Sequence, residues 1–256
     1  MKRYSFSEFE KPLLTCMVQG ATPERVEQLM AASLPEGAEA FGLQFCRLPR
    51  RLHTPAVYRR LLDAAGDLPT YVTDYRWVEN EGLTDEELAE EMLTIAACGA
   101  DLCDVMGDMF APCEDQLTMD PAAVEKQMAY IDRLHQTGAK VLISSHVLRF
   151  IPAERVLEIA LEQQRRGADI VKIVTGAESR EEELENLRIT ALLQKKLSIP
   201  FLFLSGGSQT GLHRRIGPML GCCMFLCVHE HDELATPQQP LLKNVRLIRD
   251  HFIDAE

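Results

Sequence analysis

Short apolar bursts alternate with longer amphipathic stretches along the whole chain. Leu13–Val18 (LLTCMV), Ala40–Cys46 (AFGLQFC), Pro69–Arg76 (PTYVTDYR) and Asp101–Met106 read as strands, as do Lys140–Ser145, Asp169–Val174 (DIVKIV), Pro200–Ser205 and Cys222–Val228. Helical signals fill the gaps. Thr22 caps a helix with Pro23 at its first position that runs to about Ser33, and a second runs from Pro55 to about Ala64. Thr84 opens TDEELAEEMLTIAACG, acidic in its first turn and closed by Gly99; Asp120 and Pro121 start another that ends at Thr137 and Gly138. Pro152 to Arg166 is closed by Gly167, and Glu181–Lys196 is acidic at its start and basic at its end, as the helix dipole favours. A short helix over about 211–220 and a last one over Gln239–His251 complete the series. Eight strands alternating with eight helices predict a parallel sheet with helices outside, and about 250 residues suit a closed (β/α)8 barrel forming one domain over 1–256. The first turn reads VQGATPE and lacks the G-x-G-x-x-G of a dinucleotide-binding sheet. Residues 1–11 are expected to cross the barrel bottom.

Composition narrows the function classes. The formal net charge of −12 argues against a nucleic-acid surface and an anionic membrane face, so an anion pocket must be local. The first residues, MKRYSFSEFEKP, are too charged for a signal peptide, and no apolar run approaches the ~20 residues that span a bilayer. A cytoplasmic protein with free thiols follows as the expectation for its 8 cysteines. Cys222, Cys223, Cys227, His229 and His231 match no zinc spacing, and no metal is expected there.

In such a barrel the chemistry lies at the C-terminal ends of the strands. The polar residues there are Gln44, Cys46, Asp74, Arg76, Asp104, His146, Lys172 and Ser205–Ser208. Lys172 stands out, because a barrel strand is buried on both faces. Burial lowers a lysine pKa, and a neutral amine attacks ketones. His146 ends the neighbouring strand and can serve as general acid and base to the same reacting centre. Asp104 on the fourth strand could orient the imidazole or pair with a cation. Arg76, and Arg214 and Arg215 after the turn SGGSQTG, could hold an anion. Gln239, in TPQQP, could close over the mouth.

These residues resemble the type I 3-dehydroquinate dehydratases. SSHVLRFIP (144–152) is similar to the family's S-x-H-D-F-x-x-T-P, and GADIVKIV (167–174) to its G-A-D-I-x-K-I. GSQTGLHRRIGPMLGC (207–222) is similar to M-G-x-x-G-x-x-S-R and the glycine-serine beyond it, and TPQQ (236–239) to A-P-G-Q. The resemblance implies a cofactor-free, metal-free hydro-lyase of the shikimate pathway that converts 3-dehydroquinate to 3-dehydroshikimate. It makes Lys172 the Schiff-base lysine and His146 the proton-transfer residue, which also helps shed water as the imine forms. It further implies that Arg215, Gln239 and Arg76 bind the carboxylate and hydroxyls of a small anionic keto acid, that Asp104 is the family's acidic residue on strand four, and that the protein is a homodimer.

The chain also departs from the family. The substrate-binding glutamate and arginine at the end of strand two are replaced by Gln44 and Cys46, the acid after strand three by Asn80, and the residues around the histidine by Val147 and Ile151. Two rival readings therefore remain: a class I aldolase, because VKIVTGA also resembles the V-K-x-S-T-G segment of deoxyribose-phosphate aldolases, and a non-catalytic family member.

Overall fold

The computed structural model describes residue 6 and residues 11–253. Eight parallel strands, β1 (Leu13–Val18), β2 (Ala40–Gln44), β3 (Thr70–Thr73), β4 (Leu102–Met106), β5 (Lys140–His146), β6 (Ile170–Gly176), β7 (Phe201–Gly206) and β8 (Met224–Cys227), lie in the order β7-β6-β5-β4-β3-β2-β1-β8. The ring closes between the two ends of that order, where the Cys223 N–H donates to the Phe201 carbonyl at 2.9 Å. Around it lie α1 (Pro23–Ser33), α2 (Pro55–Ala64), α3 (Asp85–Ala97), α4 (Pro121–Gln136), α5 (Ala153–Arg165), α6 (Arg180–Lys196), α7 (Gly211–Ile216) and α8 (Leu242–Ile253). Five of the helices start where an N-cap side chain satisfies a free N–H group. Thr22, Thr54, Asp120 and Ser179 each accept from a first-turn amide, and Thr84 and Glu87 form a reciprocal capping box. This is the expected (β/α)8 barrel.

Several boundaries differ from the sequence reading by a few residues, and four of the differences bear on the site. β2 stops at Gln44 and a single 3₁₀ turn follows over Phe45–Arg47; β3 stops at Thr73, which leaves Asp74, Tyr75 and Arg76 on a loop. α7 lasts only six residues before a 3₁₀ turn over Gly217–Leu220. α8 begins at Leu242, so Gln239 lies in the preceding turn. The expectation for residues 1–11 falls mostly outside the described residues; Phe6 is buried and lines a cavity at the barrel bottom. Among the described residues, no helix is long and apolar enough to cross a membrane.

The strand period of two sorts the residues. Leu14, Cys16, Phe41, Leu43, Val72, Cys103, Val105, Val141 and Ile143 pack in one cluster with the helices α1 to α4. Leu13, Met17, Ala40, Tyr71, Leu102, Leu142, Ile170, Leu202 and Met224 have the opposite parity and fill the interior. Gly42 permits this filling, because a Cβ there would meet Met17 Sδ at 2.1 Å. Above this apolar floor the same inward positions become polar: Gln44, Thr73, Asp104, Ser144, His146 and Lys172.

Candidate active site

Register brings the chemical groups together. Ser144 pairs with Lys172 across β5 and β6, and Met106 with Ser144 across β4 and β5. Lys172 is clasped from outside the barrel by Gln163 of α5. The Gln163 Oε1 accepts from the Lys172 N–H at 3.1 Å, and its Nε2 donates to the Lys172 carbonyl at 3.2 Å. Inside, the Lys172 Nζ donates to three oxygens: Tyr75 Oη at 2.7 Å, Tyr71 Oη at 2.8 Å and Asp104 Oδ2 at 3.1 Å. Both phenols donate in turn to Asp104 Oδ2, and Ser144 donates to Oδ1 at 2.5 Å. Of the two roles open to Asp104, the pairing with a cation is the one seen. Burial alone would raise the Asp104 pKa, but the Lys172 charge, with smaller help from His146, Ser144 and Tyr71, holds it below the ordinary value. Burial brings Lys172 below its ordinary value, against the opposing pull of Asp104. The three bonds donated by Nζ are those of an ammonium, and both oxygens of the carboxylate facing it are bonded.

His146 is set by a loop. The Gln116 Oε1 accepts from the His146 backbone N–H at 2.8 Å and lies 3.2 Å from Nδ1. An atom that accepts from a backbone amide is the amide oxygen, so Nδ1 carries the proton and Nε2 the lone pair. Gln116 adopts φ +47°, and its carbonyl accepts from Ser145 Oγ at 2.7 Å. The imidazole packs edge-on against Tyr75 and Trp77, with ring centres 5.1 and 5.8 Å away. Burial, with the Lys172 charge adding, pushes the pKa down to about 3, so the ring is neutral at ordinary pH. The loop is itself braced by Arg166, which is 1% exposed and donates to the carbonyls of Gly107 and Thr118 and to Gln127 Oε1.

A cavity of about 260 Å³ opens above these groups. Lys172, His146, Tyr71 and Tyr75 line it, as do Gln44, Thr73, Arg214 and Gln239, with an apolar rim that includes Met17, Trp77 and Leu148. Arg214 is 7% exposed, donates through Nε to the Ser205 carbonyl at 2.5 Å, and pairs with no carboxylate among the described residues. Burial lowers it only to about 10, so it remains cationic. Two polar atoms of the lining, Thr73 Oγ1 and Gln239 Oε1, are buried and have no partner. A larger cavity, about 380 Å³, lies at the opposite end against Pro12, Pro200, Phe201 and Cys223 and gathers no comparable cluster.

The structure thus brings Lys172, His146, Asp104, Gln44 and Gln239 to one place, while Cys46, Asp74, Ser205 and Ser208 do not line the cavity and the two candidate anion-binding residues Arg215 and Arg76 lie outside it. Arg215 is exposed, with its guanidinium on the Gly211 carbonyl at 2.7 Å; a helix turns about 100° per residue, and here Arg214 takes the inward side. Arg76 is consumed by Asp85, at 2.5 and 2.9 Å, and by Asp108 at 2.8 Å, and so ties the loops after β3 and β4 together. Tyr71, Tyr75 and Gln116 went unnoticed in the sequence. For the tyrosines a signal existed, since residues 71, 73 and 75 alternate with one parity in PTYVTDYR. Gln116 sits in a loop with no such pattern.

Among the described residues one donor group could hold a metal, His53, Asp74 and Glu91, whose ligand atoms lie within 4.8 Å of one another. The Arg50 guanidinium already sits there, 2.6 Å from Glu91 and 2.8 Å from His53 Nδ1. The cysteine and histidine run near the C-terminus has separate partners: Cys227 Sγ with the Thr15 carbonyl, His229 with Glu36, and His231 with the Gln239 carbonyl.

Fold and cavity together define a (β/α)8 barrel of enzyme type with a buried lysine at its mouth. The family model for type I 3-dehydroquinase matches residues 61–250, and the chain belongs to that family. It is 25% identical to the 3-dehydroquinate dehydratase of Geobacillus thermodenitrificans over 248 residues, 93% of this chain and 89% of that protein. A Klebsiella pneumoniae 3-dehydroquinate dehydratase is 31% identical over 98 residues, 38% of this chain and 39% of that one. Among solved structures, the 3-dehydroquinate dehydratase of Geobacillus kaustophilus superposes with a TM-score of 0.80 at 19% identity, covering 98% and 99% of the two chains. The Clostridium difficile type I enzyme, described with covalently modified comenic acid, gives 0.81 at 16% identity over the full length of both.

Proposed function

We propose that this chain dehydrates 3-dehydroquinate to 3-dehydroshikimate through a Schiff base on Lys172. The observation that carries the reading is a lysine buried at the barrel mouth, lining one cavity with a neutral histidine whose Nε2 is free to accept a proton. Family membership supports the reaction type.

In this scheme Nζ attacks the C3 ketone and the resulting protonated imine acidifies the adjacent C2–H. His146 Nε2 takes that proton and delivers it to the departing C1 hydroxyl, and hydrolysis of the imine frees the product. Arg214, in place of Arg215, faces the carboxylate, since it is an unpaired buried cation in the lining. The orphaned Thr73 Oγ1 and Gln239 Oε1 gain partners from the substrate hydroxyls. Gln44 supplies a neutral amide where the family carries charge. Neither Arg76 nor Asp104 contacts substrate in this reading: one is spent on two carboxylates, and the other acts on Lys172.

The test is a dehydratase assay on 3-dehydroquinate that follows the conjugated product, with borohydride trapping and peptide mapping. Turnover with one adduct on Lys172 is expected. No turnover and no adduct would overturn the reading.

A further inference from the structure

The three hydrogens of the Lys172 ammonium meet three oxygens, on Tyr71, Tyr75 and Asp104. With Cε as the fourth substituent, every tetrahedral direction at the nitrogen is taken. A ketone can reach Nζ only if one partner yields. Imine formation also has a fixed proton balance: a ketone plus an ammonium gives a protonated imine plus water. Two hydrogens must therefore travel from nitrogen to the former carbonyl oxygen.

Only groups that touch Nζ and also face the substrate can carry them. Asp104 does not line the cavity, whereas Tyr71 and Tyr75 do. Tyr71 is fixed within β3 and fully buried. Tyr75 lies beyond the strand on a loop that reaches φ +59° at Val78. Asn80 Nδ2 holds its carbonyl at 2.9 Å, and its ring packs on His146. Burial first, then the Asp104 charge, keeps its phenol protonated far beyond neutral pH.

We infer that Tyr75 is a further catalytic residue, the phenol that passes protons between Lys172 Nζ and the substrate carbonyl oxygen; this rests on the Schiff-base reading above. One N–H proton first moves to Asp104, which gives the neutral amine and a carboxylic acid. The nitrogen lone pair bonds to the carbonyl carbon, and the C=O pair moves to oxygen. Tyr75 gives its proton to that oxygen and takes one from the nitrogen, which leaves a neutral carbinolamine. The C–O bond then breaks as the nitrogen pair forms C=N. The departing oxygen takes the Asp104 proton by way of Tyr75 and leaves as water. Asp104 is again ionised and the phenol is restored, so the work of shedding water falls to Tyr75 and leaves His146 for the C–H step.

The test is rapid-quench borohydride trapping with 3-dehydroquinate, read by intact mass, beside calorimetric substrate binding. Tyr75→Phe should form the adduct on the order of 100-fold more slowly with substrate affinity changed by less than about threefold, and Tyr71→Phe should lose less than about tenfold. Adduct formation by Tyr75→Phe at the wild-type rate overturns the assignment while the Schiff-base reading stands. If wild type forms no adduct, the Schiff-base reading itself fails, and the assignment with it. Should Tyr75→Phe not fold, a difluorotyrosine at position 75 keeps the shape and lowers the phenol pKa. It should then move the basic limb of the trapping rate to lower pH, and an unmoved limb overturns the assignment.

Discussion

The mouth of the barrel has two unlike halves. On the side of β4, β5 and β6, each polar group is already bonded: Asp104 takes three hydroxyls and an ammonium, and Gln116 holds His146. On the side of β2, β3 and the loops after β7 and β8, the cavity offers an unpaired guanidinium on Arg214 and bare oxygens on Thr73 and Gln239. The saturated half is held in place by its own hydrogen bonds, as the proton-handling role proposed for it requires. The unsaturated half is incomplete until something supplies its partners. The first prescribes a reaction, the second a shape.

Substitutions on each side should separate these roles. The largest effect is expected from Lys172→Met, which should cut turnover by more than ~10⁴-fold. It should also destabilise the fold by ~3–5 kcal/mol, because a fully buried Asp104 loses its counter-ion. Adding Asp104→Asn should recover most of that stability in urea melts and none of the turnover. His146→Gln should lower kcat by ~10²–10⁴-fold with little change in KM; a shift confined to KM would move His146 into the binding half.

Acid should act through buried imidazoles. His146 and His213 both lie at about 3, where burial is the main cause, against about 6.5 in the unfolded chain. The unfolded chain therefore takes up protons first. Stability is fully present above pH ~6.5 and falls as pH drops toward 3, by a few kcal/mol for each ring. His213 bonds Thr190 through Nε2 and leaves Nδ1 buried without a partner. His213→Gln should flatten the decline between pH 6 and 4 in urea melts, and an unchanged slope would show that the ring has no part in it.

Smaller effects belong to recognition. Arg214→Ala should lower kcat/KM by ~10–100-fold, mainly through KM, while Arg215→Ala should stay within about twofold. Equal losses from both would erase the distinction drawn from their burial. Gln239→Ala should cost about tenfold or less in KM.

How much of this was legible follows the same division. Strands and helices were readable because apolar period and caps are local. Lys172 and His146 were readable because a lysine in DIVKIV and a histidine closing the strand before it conflict with their surroundings. The recognition half was harder. Whether Arg214 or Arg215 faces inward depends on the phase of a six-residue helix, which residues as remote as Glu183 help to fix through the amides of Leu212 and His213. Arg76 looked available because its two carboxylates come from Asp85 and Asp108, nine and 32 positions away. The strand-like pattern runs past the ends of β2 and β3 because nothing local marks those ends. Asn80 shapes the loop after β3 by reaching Asp74 and the Tyr75 carbonyl, and is itself held by a remote partner, the Arg50 guanidinium, 2.9 Å from its Oδ1.

The guanidinium of Arg166 reaches the backbone on both sides of the loop that carries Gln116, yet it lies at the C-terminal end of α5, outside the barrel wall. The loop whose Gln116 bonds a ring inside the mouth is therefore braced from a helix on the outer layer. A change in that outer layer could detune the proposed acid–base chemistry while every atom that a substrate touches stays the same, and a search for altered activity confined to the cavity lining would overlook it.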